Sequence, residues 1–165
     1  MARAAAVVQR GRGQLSRYAE DPAWSEVRPG LWIGGHTRFE VTGEVPVVVA
    51  REFDVVISLY RREGHGPPDG VEHHCVPIPD GPLTPEQLEQ VERLAVLAAE
   101  AVRAGRKTLV RCHAGYNRSG LVVARTLVEL GLGVTEAIAL VRARRSPRVL
   151  HNELFVRYLG NELAP

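Results

Sequence analysis

The stretch Leu109-Val-Arg-Cys-His-Ala-Gly-Tyr-Asn-Arg-Ser-Gly120 decides both the fold and the chemistry predicted for this chain. It begins as an apolar run typical of a buried strand, turns at Cys112, and reaches Arg118 where an apolar helix is predicted to begin. The N–H groups of such a loop can converge on one point, and the helix N-terminus adds the positive end of its dipole. Gly115 suits the turn because glycine adopts positive φ without a Cβ clash. We therefore predict an anion-binding loop between a strand and a helix.

Predicted strands and helices alternate along the rest of the chain. Residues 27–34, 53–59, 71–78 and 107–111 have the apolar or β-branched character of strands, and 61–70 is a loop rich in glycine and proline. Strands that alternate with helices predict an α/β domain with a central, largely parallel sheet flanked by helices.

The predicted helix between the strands 71–78 and 107–111 has the clearest boundaries. Thr84 is a good N-cap, Pro85 suits the first helical position, and Gln87 completes a capping box. The helical period continues to Gly105, and glycine commonly follows a helix C-terminus. Further helices are predicted at residues 119–130, 135–145 and 152–159.

The composition predicts one globular domain. The 165 residues are 45% hydrophobic and 24% charged, with a net charge of +2, which argues against disorder and against a dedicated binder of duplex nucleic acid. We interpret residues 1–26 as a loosely packed N-terminal extension, in which 14–19 could form a short helix, and residues 27–165 as the domain. No apolar run is long enough for a membrane helix or a secretory signal, and two cysteines fit a reducing compartment. A cytoplasmic location with no membrane partner is expected.

The Cys-x5-Arg-Ser pattern of residues 112–119 resembles the signature loop of cysteine-dependent phosphatases of the protein tyrosine phosphatase superfamily. The resemblance is strongest to the dual-specificity members. Leu31-Trp-Ile-Gly-Gly35 is similar to their opening strand, Pro77-Ile-Pro-Asp-Gly-Pro82 to their general-acid loop, and residues 144–155 to their C-terminal helical segment. The resemblance covers roughly residues 27–160 and implies the fold of that family.

The resemblance implies a phosphomonoester hydrolase that works through a phosphocysteine intermediate and needs neither a cofactor nor a metal. By position, Cys112 would be the nucleophile and Arg118 would bind phosphate and stabilise the transition state. Asp80 would be the general acid, and Ser119 would hydrogen-bond the cysteine sulfur. The expected partner is a phosphorylated protein that carries phosphotyrosine, with phosphoserine and phosphothreonine as further candidates. The implied phosphate-binding N–H groups are those of His113, Ala114, Gly115, Tyr116, Asn117 and Arg118.

Two alternative functions remain open at this point. Asn117-Arg-Ser-Gly120 also resembles the loop of RNA 5′-triphosphatase-like members of the superfamily. The other alternative is a phosphate-binding module with little turnover, favoured by Arg111, which stands where the family usually has histidine. Strand alternation predicts that the Arg111 side chain points away from the face that carries Cys112.

Several of these residues have a simpler interpretation. Asp80 could cap a turn, and Ser119 could cap the N-terminus of the helix. Gly34-Gly35 is interpreted as a backbone turn. Cys75 is expected to pack on a strand, with a reversible disulfide to Cys112 as the alternative.

Overall fold

A computed structural model of the protein describes residues 21–162. The described residues form a five-stranded sheet, a separate two-stranded hairpin, four α-helices and a final π-helical turn. The strands are β1 (Trp24–Arg28), β2 (Leu31–Gly35), β3 (Thr37–Glu40), β4 (Gly43–Pro46), β5 (Val55–Ser58), β6 (Glu72–Cys75) and β7 (Thr108–Cys112). The helices are α1 (Pro85–Arg103), α2 (Arg118–Glu129), α3 (Val134–Arg144) and α4 (Glu153–Arg157), followed by the π-helical turn Tyr158–Glu162.

The large sheet has the strand order β1-β2-β7-β5-β6. The β1–β2 pair is antiparallel, whereas β2–β7, β7–β5 and β5–β6 are parallel. The predicted α/β fold class with a largely parallel sheet is therefore confirmed. Because β7 is central, its last residue, Cys112, lies at the carboxyl edge of the parallel strands, where α/β proteins place their ligands.

The N-terminal boundary differs from the predicted one. β1 begins at Trp24, whose Cα partner is Gly34 in β2, so residues 24–26 belong to the sheet and not to a loose extension. Their apolar pattern is too short to indicate a strand, and it is the pairing with β2 that makes them one. The helix expected at 14–19 lies outside the described residues.

The hairpin of β3 and β4 was not predicted. Each strand has four residues, and neither shows the alternation of apolar and polar residues that indicates a half-buried strand. The hairpin turns at Gly43, which has φ +118°. Val41, next to the turn, is 70% exposed. The hairpin packs on the loop after β7 and not on the main sheet, as described below.

The predicted boundaries of α1 are confirmed. The Thr84 hydroxyl accepts a hydrogen bond from Gln87 N–H (3.2 Å), and the Gln87 side chain accepts one from Thr84 N–H (2.9 Å). Gly105 follows the helix with φ +73°. None of the helices within residues 21–162 combines the length and apolar character needed to cross a membrane.

The two faces of the sheet bury different clusters. Val110 and Cys112 of β7 lie in the larger cluster, which the helices cover. Leu109 lies in a smaller cluster on the other face, with Val49, Phe53 and Val56. Successive β7 side chains therefore alternate between the faces, which places Cys112 on the same side as α2.

Candidate active site

The loop between β7 and α2, residues 112–118, turns its carbonyl groups outward. Donors outside this loop bind every carbonyl from Cys112 to Asn117. The hydrogen bonds are His36 N–H to Cys112 O and His113 O (both 2.9 Å), Arg145 Nη2 to Ala114 O (3.3 Å) and Nε to Gly115 O (3.4 Å), Leu150 N–H to Tyr116 O (3.2 Å), and Leu121 N–H to Asn117 O (2.8 Å). In a trans peptide the C=O and the following N–H point in opposite directions. The N–H groups of residues 113–118 therefore point to the inside of the loop.

Glycines allow this loop to lie against β2. Gly115 has φ +81°, and a Cβ on it would lie 2.6 Å from the carbonyl carbon of Gly34. A Cβ on Gly35 would lie 2.7 Å from the carbonyl oxygen of His113. The interpretation of Gly34-Gly35 as a turn is wrong, since both residues end β2. They lack side chains because the neighbouring backbone occupies that space.

Cys112 and Ser119 are brought together as the resemblance implies. The Cys112 Sγ and Ser119 Oγ atoms lie 3.2 Å apart, and both residues are buried. Ser119 is the second residue of α2, so the sulfur lies near the positive end of that helix dipole.

Arg118, the first residue of α2, extends across the site. Its Nη1 donates to the carbonyl of Ile78 (3.4 Å), two residues before Asp80. Its guanidinium carbon lies 5.4 Å from the centre of the Tyr60 ring, in a cation–π contact. Its Nε is buried and has no hydrogen-bond partner among residues 21–162. The side chain therefore keeps a donor available at the site.

Asp80 is exposed and is held by two asparagines. Its Oδ2 accepts a hydrogen bond from Asn117 Nδ2 (2.9 Å), and its Oδ1 accepts one from Asn152 Nδ2 (2.8 Å). His151 contacts the other hydrogen of the Asn117 amide group, with 3.0 Å between Asn117 Nδ2 and His151 Nε2. We call Asp80, Asn117, His151 and Asn152 the acid side of the loop. No sequence pattern indicated a side-chain role for these asparagines, because only the fold brings them to Asp80.

The opposite side of the loop is formed by β3, β4 and Tyr60. Glu44 Oε1 lies 3.2 Å from His113 Nε2 and accepts a hydrogen bond from the Thr37 hydroxyl (3.3 Å). The ring of Tyr60 meets the His113 ring edge to face, with 5.2 Å between centroids. We call Thr37, Glu44, Tyr60 and His113 the hairpin side. Of this group, only His113 was a site residue predicted from the sequence.

Arg111 points away from Cys112, as strand alternation predicts. Its side chain is fully buried, and it donates to Ser58 Oγ (2.9 Å) and to the carbonyls of His65 (2.9 Å) and Gly66. Burial lowers the pKa of Arg111 to about 10, so the guanidinium remains charged at neutral pH. Arg111 therefore fixes the 61–70 segment and does not contact the loop interior.

Two histidines beside Arg111 are also buried. His36 Nε2 hydrogen-bonds to the carbonyl of Tyr60 (3.0 Å), and its ring lies 5.4 Å from that of His65. Burial, and next the positive charge of Arg111, lower the pKa of His36 to about 3. Burial, and next the charge of Arg62, lower the pKa of His65. Both imidazoles are neutral in the folded protein at neutral pH.

A second buried arginine, Arg145, lies behind the loop. Besides the loop carbonyls, it donates to Ser25 Oγ (3.3 Å) and to the carbonyl of Pro22. Tyr116 donates its hydroxyl hydrogen to Asp21, and burial together with this bond raises the pKa of Tyr116 to about 12. In the sequence, Arg145 lies in the segment 144–155 that resembles the C-terminal helical segment of the family.

The proposed disulfide between Cys75 and Cys112 is inconsistent with the sheet. Cys75 is paired in register with Ser58, and Ser58 with Arg111, so β5 separates the two cysteines. Two strand spacings amount to roughly 9–10 Å, beyond the Cα separation that a disulfide spans. Cys75 is partly buried on the edge strand β6, as the expected packing on a strand predicts.

Comparison with known proteins is consistent with this geometry. Residues 40–162 match the family model described as "Dual specificity phosphatase, catalytic domain". Dual specificity protein phosphatase 12 of Mus musculus is 33% identical over 101 residues, which cover 59% of this chain and 29% of that protein. The chain thus spans less than a third of the length of this curated relative.

Solved structures show the same fold. Human DUSP28 superimposes with a TM-score of 0.68 at 24% identity, covering 86% of this chain and 93% of that chain. Tk-PTP in the active form gives a TM-score of 0.65 at 25% identity, covering 86% and 97%. The family match extends over most of the chain and includes the 112–118 loop, Asp80 and Asn152. The chain therefore belongs to the family of dual specificity phosphatase catalytic domains.

Proposed function

We propose that this domain hydrolyses phosphomonoesters as a protein tyrosine/dual-specificity phosphatase, through a phosphocysteine intermediate. One observation carries the proposal: the peptide N–H groups of residues 113–118 point inward in a loop that begins at the buried Cys112. Six N–H donors and the guanidinium of Arg118 match the charge and size of a phosphate group. These donors would also stabilise the charge that develops on its oxygens in the transition state.

In the first step, the Cys112 sulfur attacks phosphorus and the bond from phosphorus to the leaving oxygen breaks. Asp80 gives its proton to that oxygen, which departs as an alcohol or phenol. The contact of Arg118 with the Ile78 carbonyl supports this assignment, because it ties the phosphate-binding arginine to the segment that carries Asp80.

In the second step, water attacks phosphorus and the sulfur–phosphorus bond breaks. Asp80, now ionised, accepts a proton from the water. The Ser119 hydroxyl, 3.2 Å from the sulfur, would donate a hydrogen bond to the departing thiolate. Inorganic phosphate and the free enzyme are the products, so the cycle needs no cofactor.

We infer that the substrates are phosphorylated proteins, in a cytoplasm that keeps Cys112 reduced. The two alternatives from the sequence lose their support. The triphosphatase alternative rests on the stretch Asn117-Arg-Ser-Gly120, and the Asn117 amide is engaged by Asp80, His151 and Asn152 within the site. Arg111, the basis of the non-catalytic alternative, is on the other face of the sheet and leaves the loop interior unchanged.

The test is hydrolysis of p-nitrophenyl phosphate, followed by phosphotyrosine and phosphoserine peptides. Cys112→Ser should abolish turnover but retain binding of a phosphotyrosine peptide, because the donors are mostly backbone groups. Arg118→Lys should also be nearly inactive, since an ammonium cannot replace the two parallel donors of the guanidinium. Cys75→Ser is the matched control and should hydrolyse at the wild-type rate. Substantial turnover by Cys112→Ser would overturn the proposal.

A further inference from the structure

The side-chain amide of Asn117 has a partner for each of its hydrogen-bonding groups. Its Oδ1 accepts a hydrogen bond from Asn152 N–H (3.0 Å). Its Nδ2 lies 2.9 Å from Asp80 Oδ2 and 3.0 Å from His151 Nε2. Asn117 is buried, so water does not easily replace these partners.

These contacts fix the orientation of the amide. A backbone N–H can only donate, so the atom that faces Asn152 N–H must be the oxygen. The NH2 group then faces Asp80 and His151, and each of its two hydrogens has one acceptor. The nitrogen of His151 that faces this group must therefore accept.

The same reasoning fixes the tautomer of His151. Because Nε2 accepts from Asn117, the proton is on Nδ1, which lies 2.9 Å from the carbonyl of Arg148 and donates to it. Both ring nitrogens are thus matched to a partner of the opposite kind. A side chain that could only donate at the position of Nε2 would repel the Asn117 NH2 group.

We propose that His151 is a positioning residue, which holds the Asn117 amide and, through it, the carboxylate of Asp80. This inference rests on the proposed function, in which Asp80 is the general acid. His151 itself does not touch the reacting atoms. Asp80 is exposed, and without Asn117 it would be oriented by Asn152 alone. The orientation of the Asn117 amide therefore affects the direction in which Asp80 delivers its proton.

The location of His151 makes the inference testable. His151 is exposed and lines a surface groove of about 660 Å³ with Arg142, Leu150, Glu153 and Arg157. The His151 side chain is not part of the core, so variants at this position should fold. Arg157, exposed on the same groove, provides a control position away from the Asn117 amide.

The experiment compares His151→Gln, His151→Lys and Arg157→Gln. Glutamine can place an amide oxygen where Nε2 lies, and should keep wild-type kcat. Lysine can only donate, and should lower kcat for phenyl phosphate by about 2- to 10-fold, the factor that one hydrogen bond of ordinary strength represents. With dinitrophenyl phosphate, whose leaving group needs no proton, the lysine variant should match wild type in kcat/KM, which does not include the second step, where Asp80 acts as the base. Arg157→Gln should match wild type with both substrates, and thermal unfolding verifies that each variant is folded.

A double-mutant cycle provides the second readout. In an Asp80→Asn background, His151→Lys should cause no further loss, because both changes remove the same proton transfer. An equal loss with both leaving groups, or an additive loss in the double variant, would overturn the inference. If Asp80→Asn itself shows no leaving-group dependence, the general-acid assignment fails and the inference fails with it. If Asp80→Asn shows that dependence but His151→Lys behaves as wild type, only the role of His151 is refuted.

Discussion

The two sides of the 112–118 loop are built by different kinds of contact. On the acid side, Asp80, Asn117 and Asn152 are joined by directional hydrogen bonds of 2.8–3.0 Å between amides and a carboxylate. On the hairpin side, Glu44 faces His113 with side chains that are 41% and 32% exposed. Exposed charge pairs are weak because water and salt screen them. The difference indicates that the acid side sets the position of a reacting group, whereas the hairpin side can adjust to what binds.

Buried groups next to the hairpin side hold it in place. His36 N–H donates to two loop carbonyls, and Arg111 fixes the 61–70 segment next to His36 and His65. On the acid side Asn117 is buried, but Asp80 and His151, which it contacts, are both exposed. The hairpin side therefore depends on packing and on neutral buried histidines, and the acid side on hydrogen bonds that join one buried amide to exposed side chains.

The largest effect is expected on the acid side, from Asp80→Asn. Asparagine keeps the shape of the side chain but cannot supply a proton, so kcat for phenyl phosphate should fall by roughly 10²–10⁴-fold. The loss should shrink for dinitrophenyl phosphate, because that leaving group departs without protonation. Steady-state kinetics with a series of aryl phosphates measures this dependence. A penalty that is constant across the series would mean that Asp80 is not the acid.

A smaller effect, on stability, is expected from a methyl group added beneath the hairpin side. Gly35→Ala places a Cβ 2.7 Å from the His113 carbonyl oxygen and 2.9 Å from that of Thr37. The backbone shifts that make room for this Cβ should lower the free energy of unfolding by about 1–3 kcal/mol. Gly81→Ala, next to Asp80, is the matched control, since nothing lies within 4 Å of its Cβ. Urea unfolding of both variants tests the contrast, and equal stability of the two would contradict it.

The two sides should also differ in their response to acid. The pKa of His36 is about 3 in the folded protein and 6.5 as its ordinary value, so only the unfolded chain takes up this proton below 6.5. Stability should therefore be constant above that pH and decrease as pH falls below it, by roughly 1.4 kcal/mol per pH unit for His36. His65, with its lowered pKa, adds a loss of the same sign.

Urea unfolding at about pH 7.5 and about pH 5.5 measures this loss. His36→Gln can keep the hydrogen bond to the Tyr60 carbonyl and should reduce the decrease in stability between the two conditions. Arg157→Gln, an exposed position away from both buried histidines, serves as the control and should leave the decrease unchanged. Stability that does not change between the two pH values would show that His36 accepts a proton in the folded state.

The sequence predicted the 112–118 loop and Asp80 better than the contacts on either side of the loop, for physical reasons. Cys112, Arg118 and Ser119 belong to one strand–loop–helix unit, whose geometry is local. The direction of Arg111 followed from strand alternation, which is also local. Asn152 lies 72 residues from Asp80, and the contact between them exists only after the sheet and helices have packed.

The hairpin side gave almost no sequence signal. β3 and β4 are four residues long, and Thr37 is their only buried residue, so no apolar period marks them. Tyr60 follows a predicted strand and was assigned to no site, because its contacts with His113 and Arg118 are made by ring faces and edges that carry no sequence pattern. The first residues of β1 were not predicted for the same reason: they carry no apolar period, and only their pairing with β2 makes them a strand.

The smallest effect is expected from Glu44→Gln on the hairpin side. Glutamine keeps an oxygen for the Thr37 hydroxyl and removes only the charge that faces His113. An exposed pair of this kind contributes up to about 1 kcal/mol, so KM for a phosphotyrosine peptide should change by less than about fivefold, with kcat unchanged. High salt should remove the difference between variant and wild type, because screening already weakens the pair. A large loss in kcat that persists in high salt would mean that Glu44 positions a reacting group, and the contrast between an adjustable hairpin side and a fixed acid side would no longer hold.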